Sequence, residues 1–133
     1  MSFEFETVAA ELEAYLKPLL PSEWLVQDAF KTMRRTTKVT LTYAQGNADT
    51  KVDGTSMPNG TVAVEFALIL RTPETDGTKG WPRLNAAAPH LFRALDTHAQ
   101  ILWETAEAGV QDSGESIYAI AIHVLVTYPD PTP

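Results

Sequence analysis

Apolar residues along this chain fall into two kinds of spacing, steps of three and four that mark helices and strict alternation that marks strands. Over residues 4–17, Phe5, Val8, Leu12, Tyr15 and Leu16 share one helical face, and Leu19 continues the step. Glu4, Glu6, Glu11 and Glu13 lie mostly off that stripe, and the early ones suit the positive end of a helix dipole. Pro18, reinforced by Pro21, sets the stop. Residues 24–30 read as a short strand or an irregular crossing segment, because Trp24, Val26 and Phe30 share a parity that Asp28 interrupts. Alternation is clear from Lys38 to Ala44, where Val39, Leu41 and Tyr43 point one way. It returns over 61–71, with Val62, Val64, Phe66, Leu68 and Leu70 on one face. The other face of that strand (Thr61, Ala63, Glu65, Ala67, Ile69, Arg71) is mixed, and suits solvent or another copy of the protein. Between the two strands, residues 45–60 carry Gly46-Asn47, Asp53-Gly54, Pro58 and Asn59-Gly60, which predict a long loop.

A second loop is predicted from Thr72 to Trp81, and Pro82 suits the first turn of a helix. The stripe Leu84, Ala88, Leu91, Leu95, Ala99, Leu102 and Ala106 extends this helix over 83–107. Phe92, Ile101 and Trp103 widen the stripe, Pro89 predicts a kink or a later start, and Gly109 is placed as a C-terminal cap. Residues 116–128 are the strongest strand, apolar on both faces and therefore expected to be covered on both sides. Pro129, Pro131 and Pro133 end it. The sum is a single α+β domain over 1–128 with a short Pro-rich tail over 129–133. Its mainly antiparallel or mixed sheet of about four strands is packed on one face by an N-terminal helix and by a long helix before the last strand.

Composition narrows the chemistry. The 133 residues include no cysteine, which excludes disulfides, thiolate metal sites and thiol nucleophiles. No apolar run reaches about 18 residues, so no membrane span is expected. The acidic opening Met1-Ser-Phe-Glu-Phe-Glu6 does not read as a secretory signal. The net charge of −7 (17 acidic minus 10 basic groups) disfavours tight binding to a nucleic-acid backbone. His90 and His98 are eight residues apart, about 12 Å along a helix, too far to share one ion. The segment Asp49 to Gly54 lacks the ligand spacing of a calcium loop, and no zinc-protease, phosphate-loop or nucleophile-elbow motif occurs. No metal, cofactor or catalytic residue is therefore expected, and mid-strand His123 reads as a half-buried structural or interface residue.

Charge is unevenly spread. Residues 1–23 hold five Glu and one Lys, residues 24–45 hold Lys31, Arg34, Arg35 and Lys38 against Asp28, and residues 101–133 hold five acids with no Lys or Arg. The basic run reads as a weak nucleic-acid patch, as a solvated connection, or as a segment that meets the acidic edge of a second copy in head-to-tail pairing.

The N-terminal helix followed by Leu20-Pro21 and Trp24, the strands Lys38-Val-Thr-Leu-Thr-Tyr43 and Val64-Glu-Phe-Ala-Leu-Ile-Leu-Arg-Thr72, the segment Trp81-Pro-Arg-Leu84 and the strand Ile117 to Tyr128 together resemble the small tail terminator proteins of long-tailed bacteriophages, most closely those of actinobacteriophages. The resemblance rests on order and size over nearly the whole chain. It implies a non-enzymatic virion protein, assembled in the host cytoplasm, that caps the finished tail tube and forms the head–tail joining surface as a hexameric ring. Implied partners are further copies of the chain, the tail tube protein and a head-completion or neck protein. DNA would pass through the lumen without specific binding, and no membrane is involved. On this reading Lys31, Arg34, Arg35, Lys38, Glu65, Arg71, Trp81 and Arg83 are candidates for intersubunit contact, and loops 45–60 and 72–82 for contact with tube or neck. The alternatives are a head-closure or tail-completion protein and a small ligand-binding or enzymatic α+β subunit with a pocket between helix and sheet.

Overall fold

A computed structural model describes residues 3–29 and 36–129. The chain starts with a two-residue strand β1 (Phe3–Glu4), then α1 (Val8–Leu16) between two short 3-10 turns, then β2 (Leu25–Asp28) and β3 (Thr40–Asp49). A small hairpin of β4 (Lys51–Val52) and β5 (Thr55–Ser56) leads to β6 (Thr61–Arg71), α2 (Gly77–Thr97), β7 (Ile101–Val110) and β8 (Ser116–Thr127). This is an α+β fold, with six strands in the main sheet rather than about four. β3, β6 and β8 form its antiparallel centre, and β2 lies parallel to β3 at one edge. The far side of β8 is shared by β1, paired in parallel at Val126, and β7, paired antiparallel from Val124 to Ser116.

The core follows from the alternation. Val64, Phe66, Leu68 and Leu70 of β6 stand beside Val124, Ile122, Ile120 and Tyr118 of β8, and Leu41 and Tyr43 of β3 continue the row. Against this face α1 sets Val8, Leu12 and Leu16, and α2 sets Leu84, Ala88, Leu91 and Leu95, all buried. Each fully buried Leu, Ile or Phe contributes about 1.5–3 kcal/mol relative to exposure. Two polar ties fix α1: Tyr15 Oη donates to the Ala94 carbonyl of α2 (2.9 Å), and Tyr43 Oη donates to Glu13 Oε1 (2.8 Å).

The structure corrects several expectations. The predicted helix over 83–107 starts earlier, because Asp76 caps it by accepting the Thr78 N–H (3.0 Å), and it ends at Thr97. Pro82 and Pro89 both lie inside it without ending it. Residues 101–110 are a strand, and Gly109 lies within it rather than at a helix cap. The register with β8 shifts between Trp103 and Ala106, so residues three apart pair with Ile122 and Ile120 on the same face. A bulge thus writes a helix-like step into a strand. The predicted loop 45–60 is partly β3, which continues to Asp49, and partly the β4–β5 hairpin. Asp53 (φ 49°) and Gly54 (φ 79°) supply the two left-handed residues that a tight hairpin turn requires. β8 is covered by helices on one face only: Ala121 on its other face is exposed, and Ala119, His123 and Leu125 are half-buried.

Candidate functional site

With both helices on one side, the opposite sheet face is open at its centre around β6, β7 and β8, although Thr40, Thr42 and Ala63 on it are buried. Three of the four side chains at its centre are alanines, as Ala67 pairs with Ala121 and Ile69 with Ala119 across β6 and β8. Small residues there leave a trough of about 890 Å3. Val52 and Asp53 of the hairpin contribute to its walls, as do Leu102, Glu104 and Glu107 of β7 and His123 of β8. The hairpin is the part of the expected 45–60 loop that reaches this surface. The trough is apolar at its floor, and its carboxylates favour a neutral or cationic occupant.

The two ends of the sheet differ in shape and charge. β7 is a ten-residue strand that, among the described residues, pairs only with β8, so its outer edge offers unpaired backbone groups there. Leu102 is 39% and Val110 62% exposed on it. Glu104 and Glu107 are exposed along the strand, and Asp112 is exposed in the following turn. Charged side chains on an edge guard against indiscriminate pairing. The other end is the four-residue β2, whose connection to β3 carries the basic run.

The eight sequence-predicted residues are distributed as follows. Lys31, Arg34 and Arg35 lie outside the described residues. Lys38 is exposed just before β3. Arg83 lies nearby on α2, where its guanidinium donates to the Thr37 carbonyl (3.1 Å) and to Glu74 (2.7 Å), so it ties the chain to itself. Arg71 ends β6 opposite Thr40, at this same end of the sheet. Trp81 is half-buried and meets Tyr118 edge-on, with ring centroids 6.0 Å apart. Glu65 stands apart from this group, on the open face directly across from His123. Thus Lys38, Arg71 and Arg83 share one end of the sheet, and Glu65 does not. Sequence reasoning missed the β7 edge and the alanine trough, because 101–107 was assigned to a helix. The alternation of Ile101 and Trp103 was the available strand signal.

Among the electrostatically perturbed groups are one histidine and two tyrosines, Tyr43 in the core and His98 and Tyr15 packed together. The His98 ring packs against Phe3 and Tyr15 (centroids 4.6 and 4.9 Å), and burial pushes its pKa below the ordinary 6.5. Its Nδ1 accepts the Gln100 N–H (3.0 Å), a bond that only the form without a proton on that nitrogen can make. Burial likewise raises the Tyr15 pKa, partly offset by a hydrogen bond with Thr97. The Tyr43 hydroxyl is held well above its usual range, first by burial and then by its bond to Glu13.

No protein-family model matches the chain, and no curated protein matches it.

Proposed function

We propose that this protein is a ring-forming structural component of a bacteriophage tail, which closes the tail tube and presents the surface that joins the head. The observation that carries the self-assembly part of this reading is the long acidic edge of β7, unpaired among the described residues, against the exposed Lys38 just before β3 toward the other end of the sheet, in a segment whose sequence is basic from Lys31 to Lys38. Unlike edges brought together head to tail generate a closed ring when the rotation per subunit closes. Opposite charge then sets register and partner choice. The tail assignment comes from the sequence resemblance, with the tube protein and a neck protein as the further partners. On this reading the open trough is available to them.

Light scattering after size exclusion, at low and high salt, tests the proposal. The expected result is a species of about six copies at low salt that loosens as salt screens the edge charges, since the Debye length shrinks from about 30 Å at 0.01 M to about 10 Å at 0.1 M. A monomer under all conditions, alone and mixed with tail tubes, would overturn it. The volume of the trough favours one other reading, a small ligand-binding subunit, which predicts that same monomer and saturable binding of a small apolar or cationic molecule.

A further inference from the structure

We propose that Asp49, Glu65 and His123 form a binding site for a divalent metal ion of the zinc class. The proposal does not rest on the ring reading. The three side chains come from β3, β6 and β8, are half-buried on the open face, and hold one ligand atom each within 4.8 Å of the others. Glu65 and His123 are direct cross-strand partners. Asp49 pairs with Ala63 and so sits diagonally from Glu65, a separation of about 7–8 Å between backbones that a carboxylate spans.

Asp49 reaches this face through a bulge. The β3–β6 register runs Gln45 to Phe66 and then Ala48 to Val64, so β3 holds one extra residue between these pairs. Unbroken pairing would place Asp49 opposite Val62, on the face that carries the core. The extra residue flips its parity and turns it toward Glu65 and His123. Gly46 adds a bare flank: a Cβ there would stand 3.5 Å from Glu65 Cβ and 3.7 Å from Oε2.

The Glu65–His123 spacing and the charge of the three groups fit an ion better than they fit a hydrogen-bonded cluster. His123 Nε2 and Glu65 Oε1 are 3.6 Å apart. That is longer than the ~2.7–3.2 Å of an N–H···O bond. It is close to the ~3.4 Å between ligands that bond lengths of about 2.0–2.1 Å give in a tetrahedral zinc site. Among the described residues, neither Asp49 nor Glu65 has a Lys or Arg within ion-pair distance. Two carboxylates so placed repel each other, and a dication offsets the repulsion. An imidazole with two carboxylates suits zinc, cobalt or nickel, whereas calcium takes six to eight oxygens. Three protein ligands leave a position for water, which the half-exposed face supplies.

The test uses the full, untagged chain after treatment with chelator. Zinc titration at neutral pH is expected to show one ion per chain, with cobalt giving the visible spectrum of a low-coordinate site. Imidazole NMR is expected to show His123 shifting on zinc addition while His90 and His98 do not. Glu65→Gln and His123→Gln should each weaken zinc binding at least tenfold, and His90→Gln should leave it unchanged. Circular dichroism checks that the variants fold, and the imidazole shifts on the unaltered protein decide the matter if a variant does not. Absence of stoichiometric binding, binding unaffected by Glu65→Gln, or zinc shifts at His90 or His98 instead of His123 would each overturn the proposal.

Discussion

His98 shows how one side chain couples packing to pH. Its imidazole packs against two aromatic rings and accepts a backbone N–H through Nδ1, and burial favours its neutral form. The unfolded chain therefore takes up a proton at a higher pH than the folded chain does. Stability from this residue is fully present above about 6.5 and declines as pH falls through that value toward the lower folded pKa. Urea midpoints at pH 7.5 and 5.0 should show the loss, and His98→Asn, which keeps an acceptor but does not titrate, should show less of it. Tyr43 is the second informative residue. Its hydroxyl donates to Glu13 from a 5% exposed position, so Tyr43→Phe removes one bond and leaves the ring. Urea unfolding should register a loss of about 0.5–1.5 kcal/mol.

At the scale of elements, α2 and β7 carry the lessons. α2 runs from Gly77 through Pro82 and Pro89 because its face of Leu84, Ala88, Leu91 and Leu95 is buried against the sheet. Packing outweighs a residue that costs about 3 kcal/mol in a helix interior. Pro89 is exposed, and it deprives the Asn85 carbonyl of its helical donor. Pro89→Ala is expected to restore that bond and raise thermal stability by about 1–2 kcal/mol, once the lost rigidity of the unfolded chain is subtracted. β7 illustrates the opposite outcome, in which pairing along β8 overrides a helical step in the sequence. Residues 3–7 are similar: the α-helix predicted from residue 4 begins at Val8, because Phe3 and Glu4 pair with Val126 and Thr127 and Phe5–Thr7 form a 3-10 turn.

For the molecule as a whole, the helices cover one sheet face and leave a trough, a long acidic edge at β7 and the three-strand cluster of proposed metal ligands. The ring proposal belongs to this scale, because it depends on how the ends of the sheet meet. Replacing Glu104 and Glu107 together by Lys reverses the charge of the β7 edge without touching the core, as both are exposed. The expected outcome in light scattering is a shift from the ring to smaller species at low salt, with thermal stability of the monomer changed by no more than about 0.5 kcal/mol. A ring that forms equally well with both charges reversed would remove β7 from the interface.

The sequence by itself determined the class of fold and its inner face. Period-two runs over 61–71 and 116–128 were legible because a strand buried on one face must alternate, and Leu84, Leu91 and Leu95 because a helix on a sheet must repeat at three and four. Only the tertiary structure decided the identity of 101–110, the reach of β3 to Asp49 and the face on which Asp49 lies. Each of these turns on a bulge, and a bulge shifts parity by one residue while leaving composition untouched. The candidate sites share that origin. Ala67 with Ala121, and Asp49 with Glu65 and His123, are distant in the chain and become neighbours only through strand register, which local periodicity does not encode.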